Sequence, residues 1–235
     1  MASVFGSGAG SKEDWHKGVL GRMTIAAEAD MLARALDGVF GPVSLQMGRW
    51  GEGKELWPSG SQRRPELIAP ESGSGTDLIA HLAQLPVANA CADVVLLPHT
   101  LEFSSEPLAV LREADRVLMG EGCLFVFGFS PASPWGWRAA ASRRRFPPGL
   151  RRVISARRVT DWLNVLGYEV EPARQGLFML PVGSAPPSRG LRRRWFYPFP
   201  AGTYLIKARK RLYGVTSLRF RSRPAVLGGA FEPTI

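Results

Sequence analysis

The sequence predicts an α/β domain built on a mostly parallel sheet with helices on both faces. Asp93–Leu97 and Cys123–Phe127 are continuous apolar runs bounded by polar or turn residues, the pattern of parallel strands covered on both sides. Segments of helical periodicity separate such runs, and glycine or proline punctuates the joints. With 235 residues, 45% of them hydrophobic, the chain can bury one ordinary core. No internal repeat is visible.

The elements follow in order. Residues 1–22 read as a flexible arm rich in Gly and Ser, with order beginning near Met23. Thr24 can cap a helix that carries Ile25, Ala29, Leu32 and Leu36 on one face and closes at Gly38. Val43–Met47 is a short strand opening into Gly48-Arg49-Trp50-Gly51-Glu52-Gly53. Pro65–Ala69 is a weak second strand, and Asp77–His81 is either a third strand or the start of a short helix reaching Leu85. Ser105 is placed to cap a helix with Leu108, Leu111 and Leu118 on one face, and Gly120 and Gly122 then break the chain. After the fifth strand, Ser155 caps a helix ended by Gly167. Tyr168–Glu171, Leu177–Leu180 and Thr203–Ala208 complete the strands. The domain is expected over 23–212, with a flexible tail at 213–235.

Charge is unevenly spread. Residues 1–137 hold 10 basic and 16 acidic side chains, whereas residues 138–235 hold 20 and 4. A second half so basic either meets a polyanion, such as nucleic acid or an anionic membrane surface, or keeps a solvated face. Cys91 and Cys123 are too few for a disulfide framework, and no Cys/His cluster has zinc-ligand spacing. The first residues lack an apolar leader core and no run reaches about 18 apolar residues, so a cytoplasmic location is expected.

Leu85-Pro86, Ala92-Asp93-Val94-Val95 and the stretch Leu111-Arg112-Glu113-Ala114-Asp115-Arg116-Val117-Leu118-Met119-Gly120-Glu121-Gly122 carry a specific pattern. This part of the chain resembles the second half of a class I S-adenosylmethionine-dependent methyltransferase, of the type 11 kind. That family has an LP before its fourth strand and an L-R-E-x-x-R-V-L-x-P-G-G helix and turn before its fifth. The resemblance runs over 24–211 and is strongest at 85–129. It implies a Rossmann-like seven-stranded sheet, six strands parallel and the last antiparallel, with S-adenosylmethionine across the carboxyl ends of the first strands.

The resemblance also assigns site residues. The family's D/E-x-G-x-G-x-G loop aligns with Gln46, Gly48, Trp50 and Glu52, with glycines displaced to Gly51 and Gly53. Trp50 then either walls the methionyl channel or fills it. The acid that holds ribose hydroxyls has Glu71 as its nearest counterpart, and His81 stands where an Asp often meets the adenine amine. A neutral histidine accepts one hydrogen bond there, or it is an ordinary structural residue. Pro98 and His99 follow the fourth strand beside the expected methyl group. His99 is the candidate to accept a substrate proton, against a capping or packing role.

Residues 130–154 form a basic, aromatic insertion containing Trp135, Trp137, Arg138, Arg143–Arg145 and Arg151-Arg152. Such a segment suits a membrane interface or nucleic-acid bases, or its tryptophans enter the core. Arg192–Tyr197 repeats the chemistry, and Arg219–Arg223 falls in the tail. The functional readings are therefore methyl transfer to an unidentified acceptor, or a non-catalytic module of the same fold that binds an anionic partner.

Overall fold

A computed structural model describes residues 12–58, 65–142, 146–178, 181 and 200–212. The first eleven residues of the expected arm, Arg143–Arg145, Met179–Leu180, Arg192–Tyr197 and the 213–235 tail lie outside the described residues.

The strands are β1 (Ser44–Met47), β2 (Glu66–Ala69), β3 (Leu78–Ile79), β4 (Ala92–Pro98), β5 (Leu118–Phe129), β6 (Tyr168–Val170), β7 (Arg174–Gly176) and β8 (Thr203–Lys210). They order as β3-β2-β1-β4-β5-β8-β6, with β7 also on β8. β8 alone runs antiparallel to its neighbours. β6 and β7 occupy one edge of β8: Tyr168 faces Lys210 and Gly176 faces Thr203. Seven strand positions thus hold eight segments, because the edge strand is interrupted. β7 ends at Gly176, just before the strand expected over Leu177–Leu180, whose first residue Leu177 turns away with φ 58°.

Alternation along the central strands builds two cores. Val95, Leu97, Leu124 and Val126 face a cluster with α4 (Pro107–Val117) and α6 (Ala156–Val165). Val94, Leu96, Phe125 and Phe127 face the other, with α2 (Val19–Ala35) and α5 (Pro134–Ala141). Each phenylalanine buried there contributes about 1.5–3 kcal/mol. Trp135 belongs to this second core, whereas Trp137 is 59% exposed.

Order begins earlier than expected. α1 (Lys12–Lys17) and α2 fill much of the predicted arm. Gly18 is the N-cap of α2 and Gly21 lies inside it. A Cβ on Gly21 would stand 2.3 Å from Trp15 O, so this glycine lets the two helices cross closely. Thr24 is therefore mid-helix, its hydroxyl donating to Leu20 O at 2.8 Å.

The motif that carried the resemblance is a clamp. Glu113 accepts the Leu85 N–H at 2.6 Å and pairs with Arg116, whose guanidinium donates to Leu85 O and Val87 O. The helix is thereby tied to the Leu85-Pro86 turn and faces the sheet with Val110, Leu111, Ala114 and Val117. Leu108 is exposed, and Glu106 rather than Ser105 stands at the N-cap. Nor does the Gly120–Gly122 segment end the strand. β5 continues through it as a bulge, with Met119–Gly122 opposite the single Asp93 and Glu121 at φ 62°. Ser155 caps α6 as expected, accepting from Arg158 N, and Gly167 closes it at φ 83°.

Candidate active site

The turn after β1 sets the site. Gly48 extends the ladder by donating to Ile68 O at 2.8 Å, then leaves the strand at φ 98°. α3 (Thr100–Phe103) begins against this turn, and Thr100 Oγ1 donates to Met47 O at 2.5 Å. A Cβ on Gly48 would lie 2.6 Å from that hydroxyl oxygen. The loop then doubles back, with Trp50 bridged to Gly53.

Gln46 holds the doubled loop from below. It is wholly buried; its Nε2 donates to Gly48 O and Gly53 O at 3.1 and 3.0 Å, and its Oε1 accepts from Trp57 Nε1 at 2.9 Å. Only an amide donates twice and accepts once there, which gives a physical reason for glutamine where the family carries an acid. Gln46 does not line the cavity; it supports the loop that does.

Beneath the same loop runs a buried chain of charge. Trp50 Nε1 donates to Glu28 Oε2 at 2.7 Å, and Glu28 Oε1 lies 2.7 Å from His99 Nε2. His99 Nδ1 is 2.9 Å from Glu102 Oε2. Glu102 also accepts the backbone N–H groups of Phe129 and Ile154 at 3.1 Å. The His99 ring lies between Trp50 and Phe129, with centroids 4.3 and 4.2 Å away. Burial alone pushes the imidazole down, but the charge of Glu28 and the hydrogen bonds that the ring donates to Glu102 and Glu28 outweigh it, raising its pKa to about 9. Burial raises Glu102, with His99 opposing. The raised pKa favours the protonated imidazole, which sits between the carboxyl groups of Glu28 and Glu102.

His99 has no exposed surface and no face on the cavity. This corrects the expectation that it accepts a substrate proton: its nitrogens are both engaged, and its protonated form has no lone pair to offer. It occupies the N-cap position of α3 at φ 56°, but its side chain caps nothing. Trp50 is likewise fully buried and outside the cavity lining. It neither walls nor fills the channel, because Glu28 draws its indole down into the core.

The cavity itself measures about 680 Å³ and opens at the carboxyl ends of β1, β2 and β4. The sheet order reverses between β1 and β4, where open α/β sheets bind ligands. Gly48, Arg49 and Gly51 line it from the β1 turn, and Ala69, Pro70 and Glu71 from the end of β2. His81, Leu82 and Ala83 follow β3, and Pro98 and Thr100 close the β4 side. Five candidate residues therefore meet around one space: Gly48, Gly51, Glu71, His81 and Pro98. Sequence reading missed Arg49, Thr100, Arg151 and His16, which share the lining, and Glu28 below it. Glu28 did leave a signal, since it falls on the apolar face of α2 with Ile25, Leu32 and Ala35. Among the described residues no cluster of His, Cys, Asp and Glu is placed to hold a metal, and no helix is long and apolar enough to cross a membrane.

Residues 64–126 match the methyltransferase domain family. An uncharacterized Escherichia coli (strain K12) protein, YafS, is 42% identical over 87 residues, 37% of this chain and 36% of that protein. An uncharacterized Mycobacterium tuberculosis protein, Rv2003c, is 28% identical over 197 residues, covering 77% of this chain and 65% of its own length. The chain thus spans less than two thirds of either relative. Among solved structures, an S-adenosylmethionine-dependent methyltransferase of Thermotoga maritima superposes with a TM-score of 0.61 at 19% identity, over 85% of this chain and 94% of that one. A second, from Archaeoglobus fulgidus, gives 0.61 at 12%, over 83% and 98%. The fold is that of the class I methyltransferases. The segment 64–126, which runs from β2 into β5, is the part of the chain that the methyltransferase domain family matches.

Proposed function

We propose that the protein transfers the methyl group of S-adenosylmethionine to a small acceptor. The observation that carries this reading is the cavity of about 680 Å³ at the switch point, large enough for a nucleoside-sized ligand and left open by the buried Trp50. The residues present fit the cofactor. The Glu71 carboxylate would take the ribose hydroxyls, and His81 with Leu82 and Ala83 would receive the adenine. The backbone of the Gly48–Gly51 turn would hold the methionyl part, leaving Pro98 and Thr100 beside the reacting end. When bound, S-adenosylmethionine supplies a methyl group on a sulfonium that is already a strong electrophile. Orientation of the acceptor then does most of the work, and no side chain is needed as general base.

Calorimetric titration with S-adenosylhomocysteine tests the reading directly. Saturable binding is expected, and absence of heat at millimolar ligand would overturn the proposal. Glu71→Ala should weaken binding about tenfold, the loss of one charge-assisted hydrogen-bonding group. A larger effect is expected at the turn. In Gly48→Val the side chain drives into Thr100 and strains a residue at φ 98°, so affinity should fall by about 100-fold or more. Unchanged affinity in a folded variant would remove the turn from the site.

A further inference from the structure

On the side that follows β4, which we call the mouth, the cavity is lined by Phe103, Ser104, Ser105 and Val110 together with Arg151. The backbone fixes this arginine in place. Arg151 N and Arg152 N donate to Glu102 O at 3.1 and 3.2 Å, and the preceding Leu150 is buried in the core. The Arg152 guanidinium donates to Ser105 O at 3.1 Å and so belongs to the wall. That of Arg151 has no acidic or carbonyl partner among the described residues. Ser104 Oγ accepts the Glu106 N–H at 3.0 Å, which leaves its proton for another acceptor. The one carboxylate in the lining, Glu71, stands on the β2 side.

We propose that this mouth binds the methyl acceptor by a carboxylate: the acceptor is an organic acid with an apolar body. The proposal rests on the methyltransferase reading of the same cavity. Arg151 pairs with the carboxylate, since a guanidinium fork matches its two oxygens, and Ser104 and Ser105 supply further donors. Pro98, Phe103 and Val110 receive the apolar part. Arg49, the other guanidinium in the lining, stands on the β1 turn, so Arg151 brings one charge to the β4 side, which balances a carboxylate rather than the double charge of a phosphate monoester.

The test titrates wild type, Arg151→Ala and Arg151→Lys with hexanoate, hexanamide and hexyl phosphate, with and without S-adenosylhomocysteine. Hexanoate should bind wild type at least about tenfold more tightly than hexanamide, a preference that Arg151→Ala abolishes and Arg151→Lys keeps in part. S-adenosylhomocysteine affinity should stay within about twofold in Arg151→Ala, since one exposed charge outside the β1–β2 side assigned to the cofactor adds little to it. Failure of wild type to bind hexanoate, equal binding of hexanamide, or a preference that survives Arg151→Ala would overturn the proposal. Stronger binding of hexyl phosphate would overturn the carboxylate assignment. An Arg151-dependent preference for hexanoate in a protein that does not bind S-adenosylhomocysteine would keep the acid subsite and defeat the methyltransferase reading. The converse result would do the opposite.

Discussion

His99→Ala should lower the unfolding free energy by about 3–5 kcal/mol, because it removes the cation and leaves Glu28 and Glu102 buried beside an empty space. Urea denaturation followed by tryptophan fluorescence would measure it. A loss under about 1 kcal/mol would mean that the two carboxylates are solvated or neutral, and that the buried chain contributes little. The same centre predicts a pH dependence. The folded pKa of His99, about 9, is raised above its ordinary value of 6.5. Its stabilisation is then fully present below pH 6.5 and is lost as pH rises through 9, roughly 3 kcal/mol in all. Glu102, also raised, favours its protonated form in the fold and so sends stability the same way. His99→Gln should flatten the decline between pH 6.5 and 9; an equally steep decline in that variant would assign it to other groups.

Trp50→Ala should cost a similar amount, about 3–5 kcal/mol, through the void left by a fully buried indole. The ring touches His16, His99, Phe103 and Phe129, with centroid separations of 4.4, 4.3, 5.8 and 6.1 Å, so its loss unpacks several elements together. Trp50→Phe separates packing from polarity. It keeps much of the ring but removes the donor to Glu28, at an expected cost of about 1.5–3 kcal/mol. Because Trp50 lies outside the cavity, Trp50→Phe should bind S-adenosylhomocysteine within about threefold of wild type. An affinity change of tenfold or more in the folded variant would return this ring to the ligand site.

The parts of the fold that could be read from sequence are those whose partners are near in the chain or whose motif is itself a contact. Glu113 and Arg116 sit three residues apart and together grip the Leu85-Pro86 turn, so the pattern that marked the family also states a physical bond. Ser155 and Gly167 bracket α6 for equally local reasons. Where reading failed, the controlling partner was remote. Glu28 meets His99 across 71 positions, and no local rule distinguishes that histidine from a solvent-facing one. Helix α1, which crosses at Gly21, lies in the stretch expected to be a flexible arm, and nothing among that glycine's own neighbours points to the crossing. At the site, Gly48, Gly51, Glu71, His81 and Pro98 converge because each ends or follows a strand, a position that strand order alone assigns. Gln46, Trp50 and His99 lie within two residues of them in sequence but are buried outside the cavity lining, where an amide and a salt-bridged imidazole serve packing.

The place of β8 bears on how the protein is made. A ribosome delivers β5 long before Thr203–Lys210, yet β8 is the strand that lies between β5 and β6. Until the last of these residues emerges, the apolar run from Cys123 to Phe129 offers a bare ladder of amides and carbonyls on one side, and β6 has nothing to dock against. The nascent chain must therefore keep its most adhesive edge from other chains throughout the synthesis of residues 130–202. Mutations that slow the arrival or docking of β8 should appear first as lower yield and more inclusion bodies, even in variants whose purified protein is as stable as wild type.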